Sequence, residues 1–285
     1  MRQLMLTLCF AGAVAIVVPA QEKDATFEVA SVKPNKSGDT NGMLRMLPGG
    51  RVSASNMPVR PIITFAYQLA QYQLIGGPGW LTSDRYDLIA KLEGDPGPVF
   101  APSGTAPNPM QLALRNLLED RFKLKVHRET REMDIYALVM AKPGGGPGPN
   151  LKPTTQDCAA AAAAAQRGAP PPSSAATGVP FCGIQGGPGR IRFGGLPASA
   201  LAQAFSGPAG RMVVERTGLS GAWDFELNYA AEGRGAPGGA DAAPADPNAP
   251  SLFTAIQEQL GLKLESTKGP VEVLVIDSVE RPTEN

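Results

Sequence analysis

Histidine is almost missing from this chain: His127 is the one example in 285 residues. A lone histidine cannot build a multi-histidine zinc site, and no cysteine or carboxylate cluster at ligand spacing stands beside it. Nucleophile motifs are missing too. There is no GxSxG, no SxxK, and no cysteine paired with a nearby base, which removes the recognisable forms of covalent hydrolysis. Charge of one sign is not in excess, with 26 basic and 26 acidic residues. No basic stripe or acidic tail marks a nucleic-acid footprint, so no nucleic-acid partner is expected. The glycine runs GGPGW (Gly76–Trp80) and GGGPGPN (Gly144–Asn150) lack a P-loop lysine and the strand–GxGxxG–helix setting. They are turns rather than phosphate cradles. No cofactor and no metal are expected.

Long apolar runs are confined to the N-terminus. One arginine precedes an apolar stretch from Leu4 to Val18, followed by Pro19, Ala20 and Gln21. This order describes a secretory signal peptide at residues 1–20, cut after Ala20. The alternative is an uncleaved anchor, but the run is shorter than the ~20 residues a spanning helix needs. After cleavage no membrane insertion is expected, and the location is periplasmic or extracellular. Two cysteines then remain, Cys158 and Cys182, and export exposes them to an oxidising compartment. With two thiols the pairing is forced, and the expected disulfide tethers a loop.

What the chain does have is internal likeness. RVSASNMP at Arg51–Pro58 aligns with RIRFGGLP at Arg190–Pro197, and EDRFKLKV at Glu119–Val126 aligns with QEQLGLKL at Gln257–Leu264. The offsets are 139 and 138 positions. A period this long is not a solenoid repeat; it reads as two pseudo-repeats of about 140 residues. The first half is placed at 26–142 and the second at 190–282. Between them lies a Gly/Pro/Ala-rich linker at 143–189 that carries the cysteines. Three stretches read as flexible loops: Gly94–Pro109, Pro143–Gly189 and Ala230–Pro250.

The elements between the loops are short. Thr26–Asn35, Gly50–Asn56 and RYDLIAKL alternate as strands, as do IRF and AWDFELNYA in the second half. Met57–Gln73 reads as a helix with Asn56 as its cap, and LPASALAQAF as its counterpart. Asn108 and Pro109 open a further helix, as do Pro250 or Ser251 later. FKLKVHRET and MDIYALVMAK read as one hairpin, LKLEST and VEVLVIDSV as another. The expected class is α+β, with short helices packed on mainly antiparallel sheet.

Few residues remain as candidates for function. Asp87 and Asp224 occupy equivalent places in the two halves. Paired carboxylates do acid–base work when about 5–10 Å apart, but repeat-equivalent residues more simply do one structural job twice. Tyr67, Tyr72 and Trp80 cluster around the first helix and its turn. Aromatics with an apolar body and a polar tip line ligand grooves, and the second half offers only Phe205 there. These three are the candidate ligand-binding residues; no catalytic residues are assigned.

FEVASVKPN, FAYQLAQYQLIGGPGWLTSDRYDLIAK, LLEDRFKLKVHRETREMDIYALVMAK and the final LFTAIQEQLGLKLESTKGPVEVLVIDSVERPTEN together resemble the DUF3738 family, the "soil-associated" family expanded in Acidobacteria. The resemblance spans nearly all of the chain beyond the leader and departs from it in the loops. It implies an exported protein of unknown function, with no catalytic residues to carry over. Some relatives join this domain to a membrane-bound peptidase of antibiotic-sensor type, which this chain lacks. The leading expectation is an extracytoplasmic, non-enzymatic binding, interaction or sensing protein whose partner is an unknown ligand or envelope protein. One alternative is a secreted hydrolase of envelope or environmental polymer using Asp87, Asp224 or Glu119. The other is a structural envelope protein.

Overall fold

A computed structural model describes residues 25–39, 41–94, 106–155, 157–158, 160, 182–187, 189–230 and 249–282. The expected leader and its cleavage site lie outside the described residues, as do most of the loops at 94–109 and 230–250. The fold is α+β. Its strands are β1 (Phe27–Pro34), β2 (Met43–Leu47), β3 (Arg51–Met57), β4 (Leu74–Ile75), β5 (Tyr86–Leu92) and β6 (Lys125–Met140). They continue with β7 (Lys152–Pro153), β8 (Gly183–Gly187), β9 (Arg190–Pro197), β10 (Val213–Glu215), β11 (Ala222–Asn228) and β12 (Leu262–Ser278). The α-helices among the described residues are α1 (Val59–Ala66), α2 (Trp80–Ser83), α3 (Pro109–Phe122), α4 (Leu201–Ala209) and α5 (Leu252–Leu260).

The strands form three four-stranded sheets. The first has the order β1-β5-β3-β2 and the third β7-β11-β9-β8, both antiparallel throughout. Adding six to each label of the first order produces the third. The second sheet has the order β10-β6-β12-β4. Its centre is one long antiparallel ribbon in which β6 pairs with β12 from Met140↔Leu262 to Lys125↔Ser278. The short flanking strands are parallel and cross over: β4 of the first half joins β12, and β10 of the second joins β6. Glu132 lies opposite Pro270, and these two are themselves 138 positions apart.

This ribbon corrects the two expected hairpins. FKLKVHRET and MDIYALVMAK are one continuous strand, as are LKLEST and VEVLVIDSV. Thr130–Met133 carries no glycine or proline to force a turn. Gly269–Pro270 reads as a breaker, yet β4 flanks β12 only at Leu274 and Val275, so Pro270 sits where one side of the strand is open. That is the setting in which a strand tolerates proline. Gly269 is buried beneath Ile135, whose Cδ1 would lie 2.6 Å from any added Cβ. Both segments therefore extend.

The apolar side chains form two main cores joined by this ribbon. The first gathers Val52, Ile62, Leu88, Leu114 and Phe122 from the first half, with Leu274 and Ile276 from the end of β12. The second gathers Phe193, Leu201, Phe205, Phe225 and Ile256 from the second half, with Leu138 of β6 and Leu151. Each half thus completes its core with side chains from the other half or from the segment between them. A smaller cluster of Ile135, Val271 and Val273 lies in the ribbon itself.

Helix starts follow local chemistry. Asn108 accepts from the Gln111 N–H at 2.9 Å while the Gln111 side chain returns to the Asn108 N–H, closing a capping box ahead of Pro109. Ser251 caps α5 through the Thr254 N–H. Asn56, however, does not cap α1; Pro58 holds that position without a side-chain bond. Asn56 instead adopts a left-handed backbone, φ 52°, at an irregularity between β3 and β5. Its N–H donates to Asp87 at 2.8 Å, and its side chain donates to the Asp39 and Asn41 carbonyls. The first helix spans only Val59–Ala66, short of the expected Met57–Gln73. Beyond it come a 3-10 turn at Gln71–Gln73, β4 and the short helix α2.

Gly195 stands 139 positions after Asn56 and repeats its role. It is left-handed, φ 63°, and its N–H donates to Asp224 at 2.7 Å. Against it sits the Cys158–Cys182 disulfide, with Cα atoms 5.6 Å apart as expected of a bonded pair. A Cβ on Gly195 would lie 1.9 Å from the Cys158 sulfur. The stretch 143–189 is also not wholly a loop. Gly148 and Asn150 donate backbone bonds to Leu260 and Gln259, Leu151 is buried in the second core, and β7 and β8 join the third sheet.

Two outcomes follow. A protease site placed between Cys158 and Cys182, once cut and with the disulfide reduced, leaves both pieces bound through the ribbon and the shared cores. Size-exclusion chromatography will show co-elution; separate folded peaks contradict it. Gly195→Ala costs about 1–2 kcal/mol of left-handed strain plus the clash with the disulfide. Urea melts will therefore show a larger loss in the oxidised protein than in a Cys158→Ala/Cys182→Ala background.

Candidate functional site

The middle of the ribbon is where the side chains least resemble the rest of it. Elsewhere along β6 and β12 most of the charges are paired. Arg128 pairs with Glu272, Arg131 with Glu129, and Lys263 with Glu265. His127 places Nδ1 2.8 Å from an Asp277 carboxylate oxygen, with a Glu129 oxygen 3.7 Å from Nε2. These pairs are half exposed and contribute little stability.

At the midpoint a cavity of about 440 Å³ opens. Its strand residues are Glu132, Met133 and Asp134 of β6, and Lys268 and Val271 of β12. Glu132 and Asp134 share a face because alternate residues of a strand do, and Lys268 lies directly opposite Asp134. The walls come from both halves: Tyr72 from the first, Gly210 and Arg211 from the second. Tyr72 and Arg211 are 139 positions apart, the same offset as the aligned motifs. Tyr72 is part-buried against the ribbon cluster, and burial raises its hydroxyl above the usual tyrosine range, an effect that the Ser206 hydroxyl of α4 opposes. Ser206 itself donates to the Ala202 carbonyl and accepts from the Val213 N–H. The Arg211 guanidinium lies 5.2 Å over the Tyr136 ring, and Tyr136 meets Phe253 edge to face.

The three aromatics read from the sequence do not converge there. Tyr72 lines the cavity; Tyr67 and Trp80 do not. Tyr67 closes the end of α1, with the Arg115 guanidinium 4.7 Å over its ring and its hydroxyl pushed up by burial. Trp80 opens α2, stacks on Phe122 at 6.5 Å, and is covered by Arg281 at 5.2 Å. Arg281 is also hydrogen-bonded to Asp84, which holds that carboxyl below its ordinary range. Trp80 is thus a part-buried side chain packed on the first core, not a free face. The sequence reading missed Arg211, Glu132, Asp134 and Lys268. Only the 139-residue offset, which sets Arg211 against Tyr72, offered a signal for any of them.

Asp87 and Asp224 do not form a dyad. They lie in different outer sheets, on β5 and β11, and each accepts the N–H of a left-handed residue. Asp87 also accepts two bonds from Asn35. Glu119 is exposed in a second cavity, about 610 Å³, at the end of α3, beside Asp120, Lys123 and Lys125. Among the described residues no group of three or more His, Cys, Asp or Glu side chains is arranged to hold a metal. No described helix is long and apolar enough to cross a membrane.

Fold and groove together define a disulfide-bonded α+β protein with a cleft over the middle of its long β6–β12 ribbon. The chain belongs to the DUF3738 family, described as protein of unknown function; the family model matches residues 60–279. The match takes in all of the groove and both long strands. No curated protein and no solved structure matches the chain.

Truncating Trp80 separates packing from binding. Trp80→Ala removes the stack on Phe122 and the seat for Arg281, and should cost about 2–4 kcal/mol, somewhat less than a fully buried aromatic. Urea melts will show this loss. An unchanged midpoint means that the ring is held for another purpose.

Proposed function

We propose that this is an extracytoplasmic, non-enzymatic binding protein that takes a small ligand in the groove over the ribbon midpoint. The observation that carries the reading is the cavity to which both halves contribute, Tyr72 from one and Arg211 from the other. Ligand sites are concave and combine an apolar floor with a few convergent polar groups. Here Tyr72, Met133 and Val271 supply the apolar part of the lining. Export is supported by the leader pattern at residues 1–20 and by the Cys158–Cys182 disulfide, a bond that persists in oxidising compartments. The same reading takes the halves as two copies of one unit related by a pseudo-two-fold axis through Glu132 and Pro270, with the groove on that axis.

The hydrolase alternative draws no support from its own residues. Asp87 and Asp224 are occupied with backbone N–H groups, and the carboxylates in both cavities are exposed, where nothing excludes water from a reacting bond. A purely structural envelope role leaves the groove without a use.

A thermal-shift screen of the chain from Gln21 onward, against peptidoglycan fragments, peptides, sugars and lipids, tests the reading. A ligand at a hundred times its Kd stabilises the native state by about 2.7 kcal/mol, which raises Tm by roughly 5–10 °C for a chain of this size. The shift disappears in Arg211→Ala and in Tyr72→Ala. A hit that survives both substitutions places binding elsewhere.

A further inference from the structure

The first and third sheets share one strand order, and in each the chain passes from one edge strand to the other. In the first sheet β1 and β2 are the edges, joined by a strap of eight residues, 35–42. In the third β7 and β8 are the edges, and 29 residues, 154–182, separate them. The Cys158–Cys182 disulfide shortens that path to six residues, 154–158 and 182. The cross-link thus restores to the third sheet the short strap that the first sheet has in its peptide chain. It also sits at the matching place, against Gly195, where the other strap is bonded to Asn56.

The edge strands that the two straps hold are not alike. β2 is MLRML, and its Leu44 and Met46 pack on the first core. β8 is GIQGG; its Ile184 and Gln185 are exposed, and neither joins a core. At Gly186 and Gly187 an added Cβ would meet nothing. Glycine weakens a strand, because it gives up the most backbone freedom and packs no side chain. β8 is therefore kept in place by its backbone pairing with β9 and by the bond at Cys182, the residue before the strand.

We propose that the disulfide is a redox-sensitive latch on β8. A dithiol opens it by two exchange steps. One thiolate of the reductant attacks a cysteine sulfur, forming a mixed disulfide and releasing the other cysteine; the second thiol of the reductant then displaces the first. Two electrons and two protons pass to the protein, and the dithiol leaves as its own disulfide. Neither cysteine is fully buried, so the sulfurs can be reached. With the bond open the strap lengthens from six residues to 29. Closure of a flexible loop falls with about the 3/2 power of its length, so β8 is held about tenfold less firmly. It then frays and bares the edge of β9, a row of N–H and C=O groups able to pair with another strand. An oxidising compartment keeps the latch shut. The first sheet has an unbroken strap and an anchored β2, so it does not respond. This inference is independent of the groove.

The test is amide hydrogen exchange, read by mass spectrometry, on the disulfide-bonded chain, on the same chain in dithiothreitol, and on Cys158→Ser/Cys182→Ser. Exchange in β8 and in the facing part of β9 is expected to rise about tenfold on reduction, while β2 and β3 stay unchanged. The double variant should exchange fast at β8 with or without dithiothreitol. A further variant replaces 159–181 by a single glycine and both cysteines by serine. The Cα atoms of Cys158 and Cys182 are 5.6 Å apart, a gap that one intervening residue spans. This variant should keep β8 protected in both conditions, because the short strap is then peptide chain. Exchange at β8 that ignores reduction would overturn the latch. A rise shared equally by β2 and β3 would overturn it too, since that is general loosening. Fast exchange at β8 in the glycine-bridged variant, with the rest protected, would overturn the assignment of the effect to strap length.

Discussion

Everything in this fold depends on the antiparallel pairing of β6 with β12. It runs the full length of both strands and joins residues more than a hundred positions apart, so its loop-closure entropy is set by nearly the whole second half. That cost grows only slowly with loop length. The return is large because the ribbon's ends are core. Leu274 and Ile276 enter the first core, while Leu138 and Leu262 enter the second. The short parallel strands β4 and β10 fasten the same junction from outside. Neither half can therefore bury its apolar surface without the ribbon. The groove at its midpoint is positioned by both cores rather than by a loop.

The outer sheets show one backbone problem solved with two chemistries. In each, a strand departs from regular pairing at a left-handed residue, Asn56 or Gly195, whose N–H is taken by an aspartate on the neighbouring strand. An unpaired buried N–H costs about 1–3 kcal/mol, which is reason enough for both Asp87 and Asp224. What differs is how the preceding segment is held against that point. In the first sheet the Asn56 amide reaches the carbonyls of Asp39 and Asn41. In the third the side chain is gone, and the space above Gly195 holds the disulfide. A cross-link thus stands where the other sheet uses hydrogen bonds, and glycine is required beneath it.

Much of this was legible in the sequence because it is local. Strand alternation in RYDLIAKL, the caps at Asn108 and Ser251, and the forced pairing of Cys158 with Cys182 each depend on a few neighbouring residues. The hairpins misread at Thr130 and Gly269 depend instead on a partner far along the chain. A strand that continues through Gly-Pro can be recognised only once the open side of β12 is known. The role of Asn56 was misassigned for the same reason: the aspartate that holds its N–H is 31 positions away. Of the candidate site, Tyr72 was reached through its aromatic character. Arg211, Lys268, Glu132 and Asp134 are ordinary surface residues in sequence. They become a group only when two strands and the turn after α4 meet.

The position of the groove also bears on its direction. Glu132 opposite Pro270 marks the point where the register and the 138-residue offset coincide, so the pair Asp134–Lys268 on one side of it is matched at that offset by Glu272–Thr130 on the other. Identical halves would give a cleft that accepts a ligand equally in either orientation. The residues on the two sides are not identical. On one side Asp134 faces Lys268 and both are left open; on the other Thr130 faces Glu272, which Arg128 already neutralises. Tyr72 stands on one wall where Arg211 stands on the other. Asp134, Lys268, Tyr72 and Arg211 line the cavity, whereas the bulge aspartates away from it keep the same residue and the same bond. A cleft whose two sides differ in this way presents different groups to the two ends of anything lying across it.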